Sequence, residues 1–434
     1  MRARSRPPAA PTWLSAAPAR TAVSPGVRVR ILYVHQFFAT RQSSLGLIRS
    51  YEFSRRWVEQ GHEVTVITSD SRLPEEFSAK AFVDGKIDGI RIRSVRVTYD
   101  NRMGTWRRIV SFLKFMFGAT WLAATAGRHD VVFATSTPLT VGIPGWVAAA
   151  VTRTPFVFEV RDLWPEAAIQ MGVISRTGLL GRAGKMLERF LYRRASHIVG
   201  LSPGMVDGVI AEGIAPERVH MVPNSSDLDL FSPGPKDPEL VERYGLKDRF
   251  VIGYAGAIGP SNDVEGNVPE AARILLERGR DDIVFLIAGD GKSVPALAEA
   301  TAGMSNVVLA GSMPKAEVPR FTRTADALMV LFADKPILAT NSPNKFFDGL
   351  ATGKPMIVNS DGWTRGLVED NEAGAYFPAN DGRALADVAE RLADDEDFRS
   401  RCQANARRLA EERFARDLLA AQVFEVLTAA AERR

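Results

Sequence analysis

Short apolar, β-branched runs alternate with amphipathic helical stretches along most of this chain, and that alternation limits the fold more than any other feature. "VRILYVHQFF" (28–37) has the composition of a buried strand. After the polar loop "ATRQSSLG", the stretch "LIRSYEFSRRWVEQGHEVTVIT" reads as a helix and a second strand. Leu47, Ile48, Tyr51, Trp57 and Val58 share one helical face, and Gly61 ends the helix. A strand–helix–strand unit implies parallel strands joined by a right-handed crossover. Further strands are predicted over 130–136, 155–162, 197–203 and 219–225.

The alternation then stops. "NSSDLDLFSPGPKDPE" (224–239) is rich in Pro, Ser and Asp and reads as a linker. Strands resume over 250–259, 282–291, 306–313, 325–332 and 355–361, with a helix near 263–278 and amphipathic helices toward the C-terminus. Two doubly wound, Rossmann-like α/β domains with parallel sheets are expected to face each other. The N-terminal domain takes 29–224, the linker 225–239 and the C-terminal domain 240–405, with a last helix over 406–434 able to pack back on the N-terminal domain. A length of 434 residues suits two such cores. Residues 1–28 are rich in Arg, Ala and Pro, lack acids and lack the apolar stretch of a secretory signal. They read as a disordered basic tail or the product of an upstream start codon, with a transit-like segment as the third reading.

Composition removes several functions. Cys402 is the single cysteine, so no intrachain disulfide and no cysteine-rich metal site is possible. No HExxH or CxxC spacing occurs, and no metal is expected. A net charge of +4 gives no ground for a nucleic-acid partner.

Ligands of open parallel sheets lie at the C-terminal ends of the strands. In the second half those ends carry Gly256 and Gly259, then Gly289 and Gly291, then Gly311, which would let backbone approach a nucleotide closely. "NSPNKFFDGLATGKPMIV" (341–358) adds a turn, a helix and a strand. Asn344 and Lys345 open that helix, where free N–H groups and a cation suit a diphosphate. Asp348, one turn on, suits ribose hydroxyls. The plainer alternative is that Asn344 caps the helix while Lys345 and Asp348 are solvated. "RDLWPE" (161–166) places Arg161, Asp162 and Glu166 just past a strand end. Asp162 and Glu166 are candidates for the acceptor side or a base, and a structural Arg161–Asp162 pair is the alternative.

These segments together resemble GT-B fold retaining glycosyltransferases of family 4, over about residues 29–425. They are similar to the WbuB-like, L-fucosamine-transferase group in particular. The likeness rests on "HQFF", "FEVRDLWPEAAIQMGVI", "VPNSSDLDLFSP", "AGAIG", "GDG" and "SPNKFFDGLATGKPMIV". It implies a nucleotide-sugar donor, UDP-linked by expectation, bound as a substrate with no cofactor required. Pro343, Asn344 and Lys345 would meet the donor phosphates, and Asp348 would stand for the second glutamate of the family's E-x7-E motif. The turn from Gly311 to Met313 would lie near the nucleobase, and the loop before Arg49 would cover the diphosphate. Three departures follow. Thr340 stands where the first glutamate would fall, "AGAIGPSNDVEGN" holds no cation, and no histidine follows "VVFATS". Lys345 would then stabilise the leaving group with helix N-termini and Arg49 or Arg161.

The segment 105–127 is apolar nearly all round, with Arg107, Arg108 and Lys114 near its start and Arg91, Arg93, Arg96 and Arg102 upstream. Lys114 and the continuing sheet argue against a membrane span. A helix packed on the sheet and a helix lying on an anionic bilayer are the two remaining readings, the second being favoured. The expected activity is sugar transfer to a lipid-linked saccharide in surface polysaccharide synthesis, at the cytoplasmic face of the cell membrane. A GT-B nucleotide-sugar epimerase or a catalytically degenerate nucleotide-sugar-binding scaffold are the alternatives.

Overall fold

Two sheets frame the computed structural model, which describes residues 28–41, 48–100 and 103–432. The basic tail, the loop 42–47 and Arg102 lie outside the described residues. The first sheet comprises β1 (Arg30–Val34), β2 (Glu63–Ser69), β3 (Phe82–Ile87), β4 (Ile90–Val95), β5 (Val131–Thr135), β6 (Phe156–Val160), β7 (His197–Gly200) and β8 (Val219–Met221). Its order is β3-β4-β2-β1-β5-β6-β7-β8. Its helices are α1 (Arg49–Glu59), α2 (Thr105–Ala124), α3 (Gly142–Thr152), α4 (Glu166–Gln170), α5 (Leu179–Arg194) and α6 (Pro203–Ala211).

The chain then forms α7 (Pro238–Arg243) and a second sheet. That sheet holds β9 (Phe250–Ala255), β10 (Ile283–Ala288), β11 (Val307–Gly311), β12 (Ala327–Val330), β13 (Met356–Val358) and β14 (Gly374–Tyr376), in the order β11-β10-β9-β12-β13-β14. Its helices are α8 (Val264–Glu277), α9 (Val294–Ala300), α10 (Val318–Thr324), α11 (Asn344–Ala351), α12 (Trp363–Asp370) and α13 (Gly382–Asp394). Two long helices follow, α14 (Glu396–Arg413) and α15 (Arg416–Glu432).

Helices on both faces bury the central strands almost entirely, which is why β1, β5 and β6 read as predominantly apolar runs, with Arg30 at the start of β1 and Glu159 inside β6 as the charged exceptions. Among the described residues β3 alone runs antiparallel, paired with β4. This hairpin was not among the predicted strands. Asp88 and Gly89 make its turn with φ of 48° and 78°, the left-handed geometry that favours an Asp-Gly pair. Arg91 pairs with Asp84 at 2.7 Å, and Arg93 Nη1 donates to Leu122 O at 2.7 Å. Those two cations, expected to add positive charge upstream of α2, instead brace the hairpin and the end of α2.

The last helix joins the N-terminal half. Trp57 Nε1 of α1 donates to Ala420 O at 3.0 Å, and His62 stacks on Phe424 with ring centres 4.2 Å apart. The C-terminal strand ends of the two sheets meet across a cleft. Asn224 Nδ2 donates to Ser342 O at 2.6 Å, and Ile337 N donates to Gln170 Oε1 at 3.0 Å.

Helix α2 has two apolar sides. Ser111, Phe115, Ala119, Leu122 and Ala123 are buried against the domain. Trp106, Val110, Leu113, Phe117 and Trp121 form the opposite stripe, with Trp106, Phe117 and Trp121 75%, 69% and 65% exposed. Among the described residues no helix is long and apolar enough to cross a membrane.

Candidate active site between the domains

Both sheets change winding direction beside a central strand, between β1 and β5 in the first and between β9 and β12 in the second. Those are the positions where doubly wound folds open a crevice. Two cavities occupy the cleft there. The smaller, about 320 Å³, is walled by the segments just after β1, β5, β6 and β7 and by the start of α11. The larger, about 700 Å³, lies between α1, the linker and the segment 315–318. Asn344 touches both, Lys345 lines the smaller and Asp348 the larger.

Pro343 is the N-cap of α11, and no side chain caps the helix. Asn344 is therefore its first helical residue and not the cap. Phe346 N is bonded to Pro343 O, whereas the two preceding amides open the helix toward the cleft. Lys345 Nζ donates to the Tyr254 hydroxyl at 2.8 Å and has no acidic partner among the described residues. Burial lowers its pKa to about 7. Gly256 makes room for this lysine, because a Cβ there would lie 3.0 Å from Nζ.

The N-terminal domain supplies the facing wall. Arg161 and Asp162 follow β6, and Arg72 reaches in from the segment after β2, its guanidinium 5.1 Å from the centre of the Phe37 ring. Among the described residues neither arginine has an acidic partner. Asp162, the one acid lining this cavity among the described residues, accepts from Thr137 Oγ1 at 2.8 Å and makes no ion pair with Arg161. Burial raises its pKa, opposed by the Thr137 bond and by Arg161. His35 is buried beside these cations. Burial, then Arg161 and Arg72, hold its pKa well below the usual value, so the ring is neutral. His35 and Arg72 were missed in the sequence, where one sits inside a predicted strand and the other in an unremarkable polar stretch. His35 lies just past β1 at the switch point and Arg72 just past the adjacent β2, an adjacency that only the sheet order shows.

In the larger cavity Asp348 Oδ1 accepts from Ser226 Oγ at 2.8 Å. Burial raises its pKa to about 6, against the pull of Arg416 and Ser226. Lys315 lines the same cavity, its pKa lowered to about 8 chiefly by burial.

Several expectations need correction. Arg49 is spent within the protein: Nε and Nη2 donate to Glu159 Oε1 at 3.1 and 3.0 Å, Nη2 also to Val222 O, and Nη1 to Pro223 O. It braces β6 against the segment 222–223, and although its side chain borders the larger cavity, four of its five N–H donors are taken within the protein. Glu166 accepts from Gln170 and Arg176 at 2.8 and 2.6 Å and lines neither cavity, which removes it as a base. Gly289 and Gly291 face another turn of the protein: a Cβ would lie 1.8 Å from Gly256 O in one case and 2.1 Å from Ile258 O in the other. Gly259 and Gly311 have open space around them, and Met313 packs half-buried on the core. None of these glycines, nor Met313, lines either cavity. Thr340 ends a 3-10 turn, donates to Ile337 O at 2.7 Å and packs its methyl against Gly204 of α6, outside both cavities.

A family described as Glycosyl transferase 4-like domain matches residues 46–225, and one described as Glycosyl transferases group 1 matches residues 249–395. Alpha-D-kanosaminyltransferase of Streptomyces kanamyceticus is 31% identical over 51% of this chain and 57% of its own length. GDP-mannose-dependent alpha-mannosyltransferase of Mycobacterium tuberculosis is 24% identical over 82% and 85%. UDP-Gal:alpha-D-GlcNAc-diphosphoundecaprenol alpha-1,3-galactosyltransferase of Escherichia coli is 26% identical over 42% and 47%. Among solved structures, Anabaena HepE in complex with UDP and glucose superposes with a TM-score of 0.67 at 17% identity, over 93% of this chain and 100% of that one. Sucrose-phosphate synthase of Thermosynechococcus elongatus gives 0.72 at 15% identity, over 94% and 100%. Both halves are matched, the two-domain architecture is shared along nearly the whole chain and these sequence relatives are glycosyltransferases, so the chain belongs to the GT-B fold glycosyltransferases of family 4.

Proposed function

We propose that this glycosyltransferase is a retaining enzyme that moves a sugar from a UDP donor to a lipid-linked saccharide in surface polysaccharide synthesis. The observation that carries the donor assignment is the start of α11, where Asn344 touches both cavities and Lys345, without an acidic partner among the described residues, stands beside uncapped amides. A diphosphate there would run from the larger cavity to the smaller. Asp348 and Lys315 would then hold the nucleoside, and Lys345, Arg161 and Arg72 would surround the bond that breaks. Negative charge grows on the departing diphosphate, and preorganised cations in a closed cleft stabilise it best. UDP is named for HepE and for the Escherichia coli galactosyltransferase, and these names support the base assignment. The second also names a diphosphoundecaprenol acceptor. Assignment to the L-fucosamine-transferase-like group rests on the motifs around "RDLWPE" and "SPNKFFDGL".

A lipid-linked acceptor is supported by the outer face of α2. Three largely exposed aromatics on one stripe, beside Arg107 and Lys114, suit insertion at a bilayer surface with anionic headgroups. The basic helix α5, with exposed Leu179 and Met186, extends the same chemistry. This face supports a peripheral enzyme on a membrane surface, and the cytoplasmic side is the side proposed. An epimerase acting on the nucleotide sugar alone would have no use for it.

The direct test is a transfer assay. Radiolabelled UDP-sugars are mixed with undecaprenyl-diphosphate-linked monosaccharides, and both the lipid fraction and the free nucleotide sugar are followed. Label moving into lipid together with released UDP is the expected result. Interconversion of the nucleotide sugar without an acceptor would establish an epimerase instead.

A further inference from the structure

Among the described residues the smaller cavity combines three cations with a single acid, and Thr340 stands where the family resemblance implies a glutamate. Thr340 cannot be read as a shortened version of that group. Its hydroxyl is bonded to Ile337 O, and its carbonyl accepts from Ser202 at the start of α6. A Cβ on Gly204 would lie 2.7 Å from its methyl. Residue 340 is thus a joint between the domains, and a longer acid there would have to displace α6.

Asp162 faces this cavity from the opposite side of the cleft. It stands at the C-terminal end of β6 in the same cavity as Lys345. One carboxylate oxygen is fixed by Thr137 Oγ1 at 2.8 Å. No arginine or lysine neutralises it among the described residues, so its remaining acceptor capacity is open to a ligand. Hydroxyl groups of a sugar are the donors such a carboxylate recognises, and a charged acceptor strengthens each bond. The three neighbouring cations would meanwhile be engaged by the diphosphate.

We propose that Asp162 reads the hydroxyl groups of the donor sugar, so that recognition of the sugar is supplied by the N-terminal domain while the C-terminal domain holds the nucleotide. The inference rests on the donor site described above. It makes the sugar, unlike UDP, sensitive to closure of the cleft. It also gives Asp162 a role different from a base for the acceptor, because a base has no effect on donor binding when no acceptor is present.

The test is calorimetric titration, without acceptor, of UDP and of UDP-glucose, UDP-galactose and UDP-N-acetylglucosamine into the wild-type protein, Asp162→Asn and Thr137→Val. Asp162→Asn should leave the Kd for UDP within about twofold and weaken the preferred UDP-sugar by roughly tenfold or more, the scale of a hydrogen bond to a charged group. Thr137→Val, which keeps the acid and removes only its support, should weaken the UDP-sugar by about threefold and leave UDP alone. An unchanged UDP-sugar affinity in Asp162→Asn, or equal losses for UDP and UDP-sugar, would overturn the assignment. Absence of any nucleotide binding by the wild-type protein would instead defeat the donor site on which the inference rests.

Discussion

Lys345 Nζ lies 2.8 Å from the Tyr254 hydroxyl and 4.1 Å from the centre of the same ring, beneath the turn that follows β9. The hydroxyl in turn donates to Ala257 O at 2.6 Å. A lysine held by a neutral phenol, without a carboxylate, keeps its full charge for a ligand but resists ionisation when the site is empty. Its pKa of about 7 therefore sets a pH dependence. The ammonium form dominates below that value and is lost as pH rises through it, so anion binding weakens on the alkaline side. The Kd for UDP-glucose should rise by about tenfold between pH 7 and pH 9. Titrations across that range check it, and Lys345→Met should flatten the profile.

The same residue should cost stability. Burying an unpaired ammonium is unfavourable, and methionine fills a similar volume. Lys345→Met should stabilise the ligand-free protein by about 1 kcal/mol while reducing donor affinity. Urea unfolding of both proteins without ligand measures the first effect.

Arg49 makes the opposite prediction. Its partner Glu159 is fully buried, so removing the guanidinium strands a charge in the core. Arg49→Ala should lose about 3 kcal/mol of stability. In whatever fraction remains folded, UDP affinity should stay close to wild type. A selective loss of UDP binding at normal stability would return Arg49 to the donor site.

Asp348 is expected to accept from ribose. The wild-type protein should bind 2′,3′-dideoxyuridine diphosphate about tenfold more weakly than UDP. Asp348→Ala should bind both with the same reduced affinity, a comparison that separates ribose contact from a general effect on the linker through Ser226.

The outer stripe of α2 predicts membrane behaviour. Trp106→Ser, Phe117→Ser and Trp121→Ser together should abolish sedimentation with vesicles containing anionic lipid and leave the unfolding midpoint within a few degrees, because these side chains contribute little to the core. Arg107→Glu with Lys114→Glu should have the same effect at low salt, as expected for headgroup attraction.

Most of the framework was legible because parallel strands buried on both faces must be predominantly apolar, as β1, β5, β6 and β10 are. The β3–β4 hairpin escaped because half its positions face solvent and only "DG" marks its turn. The start of α11 was legible because helix, cation and acid are contiguous there. Arg72 and His35 were not, since the sheet order alone brings them beside Lys345, some 300 positions further along. Gly289 and Gly291 misled for a physical reason: close approach of backbone to backbone demands the same residue as close approach to a ligand. Arg49 misled likewise, because sequence gives no sign that Glu159 waits inside β6 to consume its charge. The outward stripe of α2 was half visible, as apolar content without its direction.

The central claim is that a nucleotide diphosphate binds at the start of α11 against Lys345. Calorimetric titration of UDP, GDP and dTDP into the wild-type protein and Lys345→Met at pH 6.5 tests it most directly. The account predicts binding of UDP in preference to the other two and a loss of at least about tenfold in Lys345→Met. Equal UDP affinity in the two proteins, or no binding of any nucleotide to the wild type, would contradict it.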